Sequence, residues 1–140
     1  MRFTRAVQQF GRLTVNPVVL WLVRTGRGIP GVSRRSVLLL ETVGRRTGKR
    51  RVTPMGYVPV DGSRVWVVSE HGERADWFRN ATKAGTVTVQ AGDRRRRARL
   101  AVLPDEDPKA VLKRMSPAVA LANRALWDRP RVVEIRFEDD

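Results

Sequence analysis

A chain of 140 residues is long enough for one domain that buries roughly two thirds of its unfolded surface, and short for two. Its 28 lysines and arginines against 14 acidic residues give a formal charge of +14, which calls for an anionic partner: nucleic acid, an acidic membrane surface or a polyanionic small molecule. With no cysteine and a single histidine, His71, disulfides, thiolate nucleophiles and multi-histidine metal sites are excluded, so an enzyme of this composition leans on a bound organic cofactor.

Residues 3–13 carry Phe3, Val7, Phe10 and Leu13 at helical spacing, with Arg2, Arg5 and Arg12 elsewhere on the cylinder. Pro17 then opens a second short helix through Arg24 that carries Trp21. Such a basic helix pair packs on the domain, lines the mouth of a pocket or lies on an anionic membrane. The apolar run 18–23 is too short for a membrane span and has no small-residue cleavage site, so the chain reads as cytoplasmic. Thr25-Gly26-Arg27-Gly28-Ile29-Pro30-Gly31 is a loop.

The next run, Val37-Leu38-Leu39-Leu40-Glu41-Thr42-Val43, is a strand whose unbroken apolar character predicts burial on both faces. After the turn Gly44-Arg45-Arg46-Thr47-Gly48-Lys49-Arg50-Arg51, residues 52–60 read as one strand in which Pro54 and Pro59 imply an edge or a bulge. Asp61-Gly62 is a two-residue hairpin signal leading into a strand over 64–69. A helix follows over 74–83, with Ala75, Trp77 and Phe78 turned inward. Strands are expected at 86–90 and 95–103 about a Gly92-Asp93 turn. Asp107-Pro108 and Ser116-Pro117 each start a helix, over 108–115 and 117–126. A last strand spans 131–137, with Val133, Ile135 and Phe137 on one face. These elements predict an α+β, mainly β domain over 1–140: a helical segment and loop over 1–33, then six antiparallel strands closed into a small barrel with flanking helices.

Five cations in eight residues, framed by glycines between two paired strands, make a concentrated positive site in which guanidinium forks, turn amides and the Thr47 hydroxyl meet phosphate or carboxylate oxygens. Neither a phosphate loop of the GxxxxGK[ST] type nor a GxGxxG fingerprint is present. The competing run Arg94-Arg95-Arg96-Arg97 must alternate its side chains between two faces and leaves at least two in solvent. It also lacks the neighbouring aromatics that stack nucleic-acid bases. Ser69-Glu70-His71-Gly72 falls where a strand ends and a helix is about to begin, so unpaired amides there can meet a flat heterocycle.

In order along the chain, Gly44-Arg45-Arg46-Thr47-Gly48, Arg51-Val52-Thr53-Pro54, Asp61-Gly62, Ser69-Glu70-His71-Gly72 and Trp77-Phe78-Arg79-Asn80 resemble the deazaflavin-dependent nitroreductase family of actinobacterial oxidoreductases, over about residues 36 to 138. The resemblance implies a split β-barrel related to flavin-binding barrels. It also implies a bound deazaflavin, coenzyme F-420, whose phosphate and oligoglutamate tail suit the cation cradle. By position, Arg45, Arg46, Thr47, Gly48 and Arg51 would hold the phosphate and the start of the tail. Val52, Thr53, Pro54, Met55 and Gly56 would run beneath the ring. Val68, Ser69, Glu70 and His71 would meet the ring and its ribityl chain, and Asp76, Trp77, Phe78, Arg79 and Asn80 would close the site. The chain departs from nitro-reducing members at Glu70 and His71, where they have a serine and a lysine. It also lacks their tyrosines in the late helical segment, its only tyrosine being Tyr57.

The implied reaction is hydride transfer to an electron-poor acceptor, a quinone, nitroaromatic, enone or other activated alkene, with the protein aligning two rings and excluding water. Phe10, Leu13, Trp21 and Trp127 would wall the acceptor pocket, and His71 is the candidate to return a proton; no metal is called for. The alternatives are a flavin mononucleotide enzyme on the same barrel and a basic module that binds nucleic acid or a membrane surface, whose affinity would fall steeply with salt.

Overall fold

The computed structural model of the protein describes residues 37–92 and 94–138. Their elements run β1 (Val37–Val43), β2 (Arg50–Gly56), β3 (Val58–Asp61), β4 (Arg64–Ser69), a 3-10 turn (Gly72–Arg74), α1 (Asp76–Ala84), β5 (Val87–Ala91), β6 (Arg94–Leu103), α2 (Pro108–Leu112), α3 (Pro117–Arg124) and β7 (Arg131–Phe137). The expected N-terminal helix pair lies outside the described residues. None of the described helices is long and apolar enough to cross a membrane.

The strands form one antiparallel sheet in the order β2-β1-β5-β6-β7-β4-β3. Its two edge strands, β2 and β3, are consecutive in the chain and separated only by Tyr57. The sheet therefore has to curl until its edges approach one another, which produces a half-barrel. This corrects the expected count of six strands to seven: the run 52–60 is two strands, because β2 pairs with β1 while β3 pairs with β4, and the chain changes partner at a corner. Both prolines sit on these edges, where a missing amide costs no ladder bond, and the pairing of β3 shifts register between Pro59 and Asp61.

Alternation along the strands sends side chains to two clusters. Leu38, Leu40, Val65, Val67, Val87, Val89, Ala98, Val133 and Ile135 fill the concave side, where α1 adds Ala81 with Trp77 and Phe78 packed beside it. The opposite parity of β4 and β7, Val68 and Val132, packs under α2 and α3 through Val111, Leu112 and Met115. β1 is accordingly buried from Leu38 to Thr42.

One charge is buried on the outer side of β1. Glu41 is 8% exposed and pairs with Arg50 and with Arg95, the latter at 2.7 Å. Two guanidiniums flanking one desolvated carboxylate offset the cost of burying it. Within the run 94–97, Arg94, Arg95 and Arg97 are exposed, while Arg96 turns in over the Phe137 ring at 4.1 Å and donates to the Gly62 carbonyl. The run is thus spent on the sheet and on solvent, in line with its alternation.

The local signals explain the remaining ends. Asp61 accepts from the Ser63 amide at 2.8 Å and from Arg64, and these bonds, that of Arg64 first, hold its carboxyl down at about 2. α1 closes at Gly85, whose φ of 84° puts it in the left-handed region. Asp107 caps α2 by accepting from the Lys109 amide at 3.0 Å, with Pro108 in the first turn.

Candidate active site

The concave face of β1 and β2 changes character along its length. Paired positions go from Leu38 with Met55, through Leu40 with Thr53, to Thr42 with Arg51. Apolar side chains thus give way to hydroxyls and a guanidinium as the strands approach the turn. The turn is held by Gly48 N–H donating to the Gly44 carbonyl and Gly44 N–H to the Lys49 carbonyl, both at 2.8 Å. Gly48 has φ +69°, which favours glycine there, and a Cβ on Gly44 would stand 2.7 Å from Thr47 Oγ1 and displace that side chain. Opposite it, the first turns of α1 present Asp76, Trp77 and Asn80. Together these form a cleft of about 200 Å³ lined by Thr42, Gly44, Arg45, Arg46, Thr47, Arg51, Thr53, Asp76, Trp77 and Asn80.

Within the cleft the cations are held differently. Arg45 is fastened to α1: the Asn80 side-chain oxygen accepts from the Arg45 amide at 3.1 Å and from its Nη1 at 2.9 Å, while Nη2 meets Asp76 Oδ1 at 3.2 Å. Lys83 Nζ adds a bond to the Arg45 carbonyl. Arg46 and Thr47 are exposed at the cleft wall, and Arg51 is half-buried with its Nε beside Gly44. Thr42 is 4% exposed, and its hydroxyl makes no hydrogen bond among the described residues. A buried hydroxyl without a partner, among guanidiniums, is suited to an anion's oxygen.

The end of β4 forms a separate network. Asn123 of α3 donates to the Val68 carbonyl at 3.0 Å and to Glu70 Oε1 at 3.1 Å, and receives Trp127 Nε1 at 2.7 Å. The Asp128 amide donates to the Glu70 carbonyl, and Ser69 Oγ to that of Gly72. Burial pushes the Glu70 carboxyl up from the ordinary 4.5 to about 7, against a weaker downward pull from a backbone hydrogen bond. The folded protein therefore holds a proton at Glu70 that the unfolded chain has already released, and stability is expected to fall as pH rises from 4.5 to 7 and to level off above. For a half-buried group the change is about 1–2 kcal/mol, below the full value of such a shift. Glu70→Gln keeps the acceptor and removes the charge, so its melting temperature at pH 8 should exceed the parent's and the two should converge near pH 5. Parallel curves at all pH values would show that Glu70 does not titrate in this window.

Of the residues singled out from the sequence, Arg45, Arg46, Thr47, Arg51, Thr53, Asp76, Trp77 and Asn80 meet at the cleft. Arg50 does not; it turns to the outer side and Glu41. Gly48 shapes the turn without lining the cleft, and Val52 and Pro54 are buried in β2. Gly56 is buried at the end of that strand, and Met55 and Phe78 pack on the concave core. Arg79 is exposed on α1. Val68, Ser69, Glu70 and His71 lie at the end of β4, away from the cleft wall, and Trp127 packs on the second cluster. Phe10, Leu13 and Trp21 lie outside the described residues. Thr42 and Gly44 were missed as lining residues, although Thr42 follows Leu38 and Leu40 on the same face and strand parity would have found it. Asn123 carried no signal, since the residues it joins across the fold, Val68 and Glu70, are more than fifty positions away in sequence.

The described strands thus form a curled antiparallel half-barrel with a cationic cleft at the turn between its first two strands. The family model described as F-420H(2)-dependent quinone reductase matches residues 12–134, and the chain belongs to that family; it is a coenzyme F-420-dependent reductase. Among solved structures, the F-420-H2-dependent reductase FDR-A is 25% identical, covering 74% of this chain and 95% of its own at a TM-score of 0.52. A domain-swapped dimer is also 25% identical, covering 74% of this chain and 81% of its own at 0.53. The heme storage protein HutZ of Vibrio cholerae, 15% identical over 76% of this chain and 84% of its own at 0.53, shares the fold alone. No curated protein matches the chain.

Proposed function

We propose that this enzyme passes hydride from reduced coenzyme F-420 to an electron-poor acceptor, a quinone first and nitroaromatics, enones or other activated alkenes by the same chemistry. The observation that carries the cofactor's placement is the cleft in which Arg45, Arg46 and Arg51 meet the buried Thr42, whose hydroxyl makes no hydrogen bond among the described residues. The residues present fit an anionic group there. Arg45, Arg46, Thr47 and Arg51, with Thr42 and Thr53 behind them, would hold the phosphate and the start of the acidic tail through charge-assisted bonds. A cleft of about 200 Å³ takes that end of the molecule and not the whole, since drug-sized ligands occupy roughly 300–1,000 Å³.

When bound, the deazaflavin supplies the hydride. The protein's share is to fix the anchored end, to let Val52 through Gly56 and Val68 through His71 flank the ring, and to exclude water with Trp77 at the cleft wall. The candidate to return a proton to the acceptor is His71, at the end of β4.

The test is anaerobic turnover. Purified protein mixed with reduced F-420 and menadione should regenerate the fluorescence of oxidised F-420 in proportion to quinone, at a rate that saturates with both reactants. Absence of protein-dependent oxidation with a quinone, a nitroaromatic and an enone alike would overturn the proposal.

A further inference from the structure

Among the ten described residues that line the cleft, Asp76 is the only acidic one. A carboxylate in a site whose other charged walls are Arg45, Arg46 and Arg51 opposes an incoming anion unless it has a separate task. Its contacts define that task. Arg45 has two side-chain oxygen partners of different permanence. Asn80 is 6% exposed and takes both the backbone amide and Nη1 of Arg45, so it is a fixed anchor. Asp76 holds the neighbouring Nη2 at 3.2 Å, yet its side chain is 82% exposed against 19% for that of Arg45. One arm of the fork is locked in the protein and the other is covered by an anion that water already surrounds.

We infer that Asp76 is an internal competitor for the anion site: its carboxylate occupies the outward arm of Arg45 and is displaced when a ligand's phosphate or carboxylate enters, so that Asp76 lowers affinity and favours release. This rests on the cleft being the anchor of the cofactor's acidic end, and it deepens that reading by naming the residue that sets how tightly the end is held. The geometry allows the exchange at low cost. Asn80 keeps the guanidinium in place while Asp76 leaves, and the departing carboxylate is already hydrated and sits in the first turn of α1, where the helix end favours negative charge. An exposed ion pair of this kind is worth about 0.2–1 kcal/mol. Its removal as a competitor should therefore tighten anion binding about 1.5- to 5-fold.

The measurement is the dissociation constant of F-420, by cofactor fluorescence, and of inorganic phosphate, by calorimetry, for the parent, Asp76→Asn and Asp76→Ser. Titrations are made in about 10 mM and about 500 mM salt, where screening lengths are roughly 30 Å and under 5 Å. Both variants should bind both ligands about 1.5- to 5-fold more tightly in low salt, with the advantage shrinking in high salt. Arg45→Ala should weaken binding in the same series. If the variants bind more weakly than the parent, Asp76 orients Arg45 and the proposal fails. Unchanged affinity also overturns it. Should the parent take phosphate and not F-420, tighter phosphate binding by the variants upholds the competitor while the cofactor reading falls. Binding of neither ligand would remove both.

Discussion

Gly72→Ala is expected to destabilise the protein by roughly 3 kcal/mol or more and to lower its melting temperature by about 10 °C. Two independent costs meet at this residue. Its φ of +59° lies in the left-handed region, where an L side chain is strained. A Cβ there would also stand 2.7 Å from the Arg129 carbonyl oxygen and 3.1 Å from Arg131 Cγ. The first obstacle is backbone at the entry to β7, so it cannot swing aside as a flexible side chain would. The displaced carbonyl of Gly72 is in turn the acceptor of Ser69 Oγ at 2.7 Å, and the strain therefore spreads into the end of β4. Gly62→Ala is the control, because nothing lies within 4 Å of its added Cβ; it should stay within about 0.5 kcal/mol of the parent. Equal melting temperatures for the two variants would show that the Gly72 turn relaxes freely.

Arg51→Ala is expected to weaken binding of F-420 by about 10- to 100-fold. The side chain stands on the concave face opposite Thr42, half-buried, with Nε against Gly44. Bonds from such a group to a phosphate are charge-assisted and contribute about 1.5–3 kcal/mol each, which sets the range. Arg51→Lys should recover only part of the loss, since an ammonium keeps the charge without the planar fork. Arg97→Ala removes an equal charge from a 68% exposed position on the outer face and should cost less than twofold in 0.15 M salt, where the screening length is roughly 8 Å. If Arg51→Ala and Arg97→Ala weaken binding equally, the effect is one of net charge and the cleft is not the site.

Much of this was legible in the chain because it is local. Period-two alternation places Val133, Ile135 and Phe137 on one face, the glycines of the basic loop mark a tight turn, and Asp107 with Pro108 starts a helix. Pro54 and Pro59 announced edge strands, and both edges of the sheet are where they fall. What was hidden is where the chain changes partner. The split at Tyr57 follows from β2 pairing with β1 and β3 with β4, a long-range choice that no window of residues contains. The same holds for charge. Arg50 and Arg51 are neighbours with opposite fates, one spent on Glu41 outside and the other lining the cleft, and only the register of β1 with β2 separates them. Asn80 was expected among the residues that close the site; its contact with Arg45 spans 35 positions, which no local pattern announces.

We place the anchor of the deazaflavin in the cleft between the basic turn and α1. The most direct test of this placement is a parallel titration of the unmodified protein with oxidised F-420 and with flavin mononucleotide, following cofactor fluorescence at fixed salt. Saturable one-to-one binding of F-420 is expected, with markedly weaker binding of flavin mononucleotide, whose tail offers a phosphate without the glutamates. Tighter binding of flavin mononucleotide, or no saturable binding of either, would contradict it.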